Sequence, residues 1–394
     1  MHPSNERPDM NTPDPDNTTA SSSASHGQMV RQTVAPARLK ESLELNRPPS
    51  VRNASTAGLQ ASIAVVLAAV ALHYSPWPSM AGFGSLGAMA ALFGRFATPA
   101  KRRWVVGTAG ALLVSPVAIL SLAAWSGASP VLLLVMLSLV AGALASVAHR
   151  TQVGAPGAVI FVFAASAAIT PISSGGEWLE RVLATTLGAV IAWIICALTD
   201  SMREQDVKLP PPPMPAGAPA GGGRQPALTP GYAPRQAARI VACAIVSSLL
   251  AHAMGWSHPA WAAIGVIAVL QGAHLPGTIH RAWQRTLGTI VGAGIAWAIL
   301  VNEPSFWQIL AAVAILQFIT EVIIGFNYAL GQMAITPMAL LMTTLASHSE
   351  AADMVISRIY DTALGALVGI VFAMLLSTLD ERLHLARHHS RKRS

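Results

Sequence analysis

Residues 181–198 read RVLATTLGAVIAWIICAL, an arginine followed by a run without a charge. A helix over 182–198 is about 25 Å long at 1.5 Å per residue, close to one hydrocarbon thickness, so the stretch reads as a membrane span. Outward from it, comparable stretches lie at 57–73, 77–94, 104–125, 130–148 and 154–171. More follow at 237–254, 259–274, 286–301, 306–325, 328–346 and 359–377. The reading is an all-α membrane protein of about twelve transmembrane helices. Composition agrees, because 53% of the 394 residues are hydrophobic and only 11% charged, where soluble domains carry roughly a quarter. The formal charge of +7 does not indicate nucleic acid, since the basic residues stand in short runs between apolar stretches rather than in one patch.

The organisation that follows has five parts. Residues 1–50, rich in Ser, Thr, Asn, Asp and Pro and without a signal-like apolar core, are expected to form a disordered cytoplasmic tail. Residues 51–198 form a first six-helix half and 236–378 a second. Between them, 199–235 holds Pro210 to Pro213 and Gly221 to Gly223 and reads as a solvated linker, and 379–394 is a basic tail. Lys and Arg collect on the cytoplasmic side of membrane proteins. With both termini inside, 23 of the 25 basic residues lie in the cytoplasm and only Arg181 and Arg358 outside. Cys196 and Cys243 fall in apolar stretches and suggest neither a disulfide nor a metal site.

The halves are predicted to be duplicated. An Arg followed seven residues later by Gly opens four stretches, at Arg103–Gly110, Arg181–Gly188, Arg285–Gly292 and Arg358–Gly365. A small residue, Gly107, Thr185, Gly288 or Thr362, stands three or four after each Arg, on the same helix face as the glycine. Small residues so spaced allow close helix approach where water supplies no driving force. The two pairs are offset by 182 and 177 residues, and Pro78 with Gly84 matches Pro259 with Gly265 at 181. Within each half the motif occurs on helices entering from opposite sides, which admits inverted three-helix repeats.

Three segments of the second half carry a specific likeness: SHPAWAAIGVIAVLQ (257–271), RAWQRTLGTIVGAGIAW (281–297) and EVIIGFNYALGQMAITPMALL (321–341). Together they resemble the fusaric acid resistance and aromatic acid exporter superfamily, the integral membrane bound transporter domain, which is also similar to the plant malate channels. The likeness covers most of 237–377. The first half keeps Trp77–Pro78 and the Arg103 and Arg181 motifs but has no counterpart of Glu321 or of the Asn-Tyr pair. Many relatives carry a larger soluble domain where this chain has its linker. The resemblance implies efflux of organic anions, aromatic carboxylates or similar toxic acids, across a bacterial inner (plasma) membrane. It implies a small organic anion as substrate and, as in some relatives, a periplasmic adaptor as partner; a homo-oligomer stays open.

The residues suited to that chemistry are few. Arg103, Arg181, Arg285 and Arg358 stand at predicted helix starts, where unpaired N–H groups already favour anions and a guanidinium adds a bidentate carboxylate contact. The alternative is that Arg103 and Arg285 anchor the cytoplasmic face and that Arg181 and Arg358 snorkel or form ion pairs. Glu321, in LQFITEVIIG, is an ionisable group within a span and a candidate for the coupling proton, or else a structurally paired acid. Asp361, one helical turn from Arg358, is a second coupling candidate or its ion-pair partner. Asn327, Tyr328 and Thr336 could line a polar path, with Pro337 kinking that helix. His258 titrates near neutrality if it is not simply structural, and Trp77, Trp261, Trp283 and Trp307 read as an interfacial belt.

No phosphate-binding Gly-x4-Gly-Lys-Ser/Thr loop, His-Glu-x-x-His site or nucleophile elbow occurs. An ATP-driven pump and a hydrolytic enzyme are therefore not expected, nor any cofactor or bound metal. Three readings remain: a proton-coupled exporter, an organic-anion channel on the same scaffold, and a membrane scaffold that transports nothing.

Overall fold

The computed structural model describes residues 50–204, 232–271, 275–346 and 351–375; both tails and most of the central linker lie outside these described residues. Among them there are twelve α-helices and no strand. The helices are α1 (Val51–His73), α2 (Ala81–Ala88), α3 (Pro99–Trp125), α4 (Pro130–Thr151), α5 (Ala158–Ala167) and α6 (Gly175–Leu198), then α7 (Tyr232–Ala253), α8 (Ala260–Leu270), α9 (Leu275–Leu300), α10 (Phe306–Ile323), α11 (Tyr328–Ala346) and α12 (Ala351–Leu375). Each corresponds to one apolar stretch. Two boundaries differ from expectation: α7 begins within the expected linker, and residues 199–204 at the linker's start pack on the bundle.

Local chemistry sets several helix ends. The hydroxyls of Ser50, Ser129 and Ser174 accept from the backbone N–H groups of Asn53, Leu132 and Glu177, satisfying first-turn donors. Ser305 and Gln308 form a reciprocal capping box on α10. Gly127 and Gly255, with φ of +81° and +74°, turn the chain after α3 and α7. α11 continues through Pro337, whose ring packs near Gly292 of α9.

The helix that decided the reading shows how the chain meets its surroundings. α6 exposes Leu179, Leu183, Leu187, Val190 and Ile194 along one face and buries Arg181, Thr185, Gly188, Ala192 and Cys196 on the other. Its large apolar side chains thus point outward and its small and polar ones inward. In water that outward stripe would be an exposed apolar patch, whereas lipid solvates it without cost.

Three elements depart from the expected spans. Eight helices are long and apolar enough to cross a bilayer: α1, α3, α4, α6, α7, α10, α11 and α12. α9 has the length, but His280, Arg281, Gln284 and Arg285 interrupt its first half. The stretches at 77–94, 154–171 and 259–274 instead form α2, α5 and α8, of 8, 10 and 11 residues. An 11-residue helix is about 16 Å long, half the hydrocarbon thickness. Every residue of α2 and of α8 is buried. Their hydrophobicity serves packing inside the protein, and the chain around them is broken by 3-10 turns at Pro78–Met80 and Met89–Leu92 and by positive φ at Gly154 and Gly157.

The recurring glycines mark the tightest contacts. A Cβ on Gly188 would fall 1.9 Å from the Gly84 carbonyl oxygen, and one on Gly87 1.9 Å from that of Thr185, so α2 and α6 touch backbone to backbone. Likewise, a Cβ on Gly365 would fall 2.4 Å from the Ala262 carbonyl oxygen and 2.9 Å from Gly265 Cα, where α8 meets α12. Across the molecule α1 packs on α10 and α4 on α7, while α3 and α9 pack on α6 and α12 respectively.

Candidate functional site

The densest buried polar cluster with unpartnered groups lies among α8, α9, α11 and α12. α9 and α11 approach closely because Gly288 and Gly292 present no side chain; a Cβ on Gly288 would fall 2.5 Å from both the Ala329 carbonyl oxygen and Gln332 Cβ. That approach brings Arg285 to α11, where its Nη1 donates to the Tyr328 hydroxyl at 3.3 Å and to Gln332 Oε1 at 3.5 Å. The Gly265–Gly365 crossing likewise sets Arg358 with its Cζ 5.1 Å from the centroid of Trp261 on α8, a cation–π contact.

Arg358, Asp361, Thr362 and Gly365 share one buried face of α12, and Arg358 lies within electrostatic reach of Arg285, Asp361 and Tyr328. Neither carboxylate oxygen of Asp361 has a hydrogen-bond partner among the described residues, and the same holds for the hydroxyls of Thr362 and Thr336 and for Nε of Arg285 and Arg358. Two buried guanidiniums and one carboxylate share this region, with Asp361 in electrostatic reach of Arg358, an excess of one positive charge at low dielectric. Such a cluster is costly unless it is completed by water or an anion.

Each sequence-derived candidate now has a place. Arg285 and Arg358, expected at opposite membrane faces, come within electrostatic reach of each other, because α9 and α12 start earlier than their apolar runs and hold these arginines ten and seven residues beyond their first residues. None of the four arginines stands at a helix start. Arg181 pairs with Glu177 at 2.7 Å and donates to the carbonyls of Thr170 and Pro171, closing the chain end beyond α5. Arg103 is exposed. Glu321 is buried and paired with Arg95 at 3.1 Å, a residue from the segment after α2 in the other half of the chain. Asn327 Oδ1 accepts from the Ala329 N–H at 2.7 Å and caps α11. Thr336 is buried against Gly292. His258 stacks on Trp261 at 4.2 Å, and burial pushes its imidazole below the usual range, with Asp353 acting to raise it and Arg358 to lower it further.

Sequence reasoning missed a second charged cluster. Arg102, fully buried beside the exposed Arg103, donates to Gln60 Oε1 at 2.5 Å and to Cys196 Sγ at 3.4 Å, and stands 3.5 Å from Asp200. Arg203 pairs with Asp200 at 3.0 Å and donates to the carbonyls of Arg95 and Ala97. Here both guanidiniums are in ion-pair reach of the Asp200 carboxylate, although Arg102 Nε and Nη1 and Arg203 Nε have no hydrogen-bond partner among the described residues. A signal existed in the Asp200–Arg203 spacing just after a span, but nothing in the sequence tied it to Arg102.

The outward apolar faces, the eight span-length helices and the charged interior define a multi-pass integral membrane protein. Residues 243–372 match the model of the fusaric acid resistance protein-like family. Over 131 residues the chain is 34% identical to the Uncharacterized membrane protein YvaC of Bacillus subtilis (strain 168), a match that covers 33% of this chain and 21% of that protein. The chain thus spans about a fifth of the length of the curated relative it matches. No solved structure matches it. The matched domain contains the whole Arg285–Tyr328–Arg358–Asp361 cluster.

Proposed function

We propose that this protein is a bacterial inner-membrane exporter of organic anions, aromatic carboxylates above all, and that the cluster of Arg285, Arg358 and Asp361 is where the anion is bound in transit. The observation that carries this reading is a pair of buried arginines with unpartnered Nε groups, one of them, Arg358, in electrostatic reach of a carboxylate that has no hydrogen-bond partner among the described residues. A carboxylate substrate would pair with the guanidiniums, and the rings of Trp261 and Tyr328 would receive a planar apolar body. Asp361 is the better coupling acid: Glu321 already has a cation, Arg95, whereas Asp361 would gain from taking up a proton. On this reading both chain ends lie in the cytoplasm, which the distribution of Lys and Arg supports.

The halves 51–198 and 236–378 are proposed to be duplicates joined by a linker. Exchanging each helix of the first half for the one six later turns the α1–α10 contact into α7–α4 and the α2–α6 crossing into α8–α12, and all four contacts exist. A periplasmic adaptor and self-association are admitted by this reading but not required by it.

The test is flux. Purified full-length protein in proteoliposomes should take up labelled benzoate under an imposed pH gradient. Arg358→Ala should abolish uptake, and Asp361→Asn should abolish gradient-driven accumulation while sparing exchange. Wild-type protein that moves no organic anion would refute the reading.

A further inference from the structure

Of the two most extensive contacts between the halves, one is filled and one is open. At the α1–α10 contact, Gly58 of α1 lies against Glu321, which is paired with Arg95. At the α4–α7 contact there is instead a cavity of about 500 Å³, reaching from the end of α4 across the 152–157 turn to α8 and α9. Its wall is built mostly of alanine, glycine and proline with Ile240, Ile267 and Leu270; its polar groups are Ser146, His149, the amides of Gln152, Gln236 and Gln271, and Arg281, and no acidic residue lines it among the described residues. Gln236 and Gln271 donate to the carbonyls of Leu270 and Pro156, which holds the walls in place.

Arg281 is the full cation of this cavity, and it also leads out of it. Its Cζ lies 5.2 Å from the centroid of Tyr328, on the ring whose hydroxyl accepts from Arg285. Arg285 is in turn within electrostatic reach of Arg358. Arg281, Tyr328 and Arg285 are therefore linked by contacts leading from the cavity toward the buried cluster that holds Arg358. An apolar wall, a single permanent cation and a volume in the range of small-molecule sites suit an amphipathic monoanion with a planar body.

We infer that this cavity is the docking site for the exported anion before it reaches the buried cluster, that Arg281 pairs with its carboxylate there, and that Tyr328 stands as the barrier between the two sites. This rests on the exporter reading. It makes Arg281 a determinant of affinity rather than of turnover.

The probe is 1-naphthoate, measured both as equilibrium binding to the detergent-purified full chain and as flux in proteoliposomes. Arg281→Gln, which keeps the stem, should raise the KM for flux about tenfold and leave the maximal rate within about twofold. Ala237→Trp, which fills the cavity, should do the same, and 2-naphthylmethanol, which lacks the charge, should not compete. Elution and melting matched to the wild type establish that each variant is folded; should Ala237→Trp misfold, Arg281→Gln alone decides. Flux with an unchanged KM in both folded variants would overturn the docking site and leave the exporter reading standing. Wild-type binding that Arg281→Gln weakens, without any wild-type flux, would support the docking site and refute transport. A uniform loss of maximal rate with KM unchanged would place Arg281 in the transit step and overturn the inference.

Discussion

A buried ion is decided by its partner, and neighbouring residues can meet opposite fates. Arg102 and Arg103 are adjacent, yet one is enclosed by Gln60, Cys196 and Asp200 and the other is exposed, because successive helical residues point about 100° apart. Arg102→Met should therefore lower the melting temperature of the purified protein by several degrees, while Arg103→Ala leaves it within about one degree. Glu321→Gln strands Arg95 and should cost roughly 3 kcal/mol, part of which the double change Arg95→Met, Glu321→Gln recovers in a thermal-melt cycle. His258 gives a pH dependence. Its folded form is held below the ordinary imidazole pKa, so the unfolded chain binds the proton first as pH falls through about 6.5, and stability drops on acidification. Melting at pH 7.5 and 5.5 should show that loss, and His258→Gln should reduce it. These partnerships were beyond sequence reading: Arg95 and Glu321 stand 226 positions apart, and neither one's surroundings names the other.

At the scale of helices, the small-residue spacing was legible and the lengths were not. The Arg-to-Gly motif anticipated contacts found at Gly188, Gly292 and Gly365, since a missing Cβ is written directly in the sequence. Hydropathy, by contrast, reports removal from water and cannot distinguish burial in lipid from burial in protein. α2, α5 and α8 read as spans for that reason. The same blindness put Arg285 and Arg358 on opposite faces, because apolar runs mark where a helix becomes hydrophobic and not where it begins. The contacts give a sharp contrast: Gly188→Ala sets a methyl against the Gly84 carbonyl and should sharply reduce the yield of folded protein, whereas Gly294→Ala meets nothing within 4 Å and should be neutral or slightly stabilising. Fluorescence-detected size exclusion reads both.

For the whole molecule, the twelve apolar stretches match the twelve helices among the described residues, but only eight of those are span-length, and the way they are joined in space required the contacts. The two parts of the chain meet through α1 with α10 and α4 with α7, so neither is closed without the other. Residues 1–214 and 215–394 expressed as separate chains should co-purify, and either alone should fail to yield a monodisperse species.

The short helices also bear on how the chain enters the bilayer during synthesis. α8 ends after 11 residues, too few to halt a translocating polypeptide unaided, and the surface it rests on is Gly365 of α12, about a hundred residues later. α2 waits in the same way for Gly188 of α6. Integration of this protein is thus out of step with its order of emergence: an early segment must be sheltered until a late one arrives. A nascent chain arrested before residue 351 should leave α8 accessible to proteases and to the quality-control machinery that removes half-inserted segments, and completing α12 should abolish that sensitivity at once.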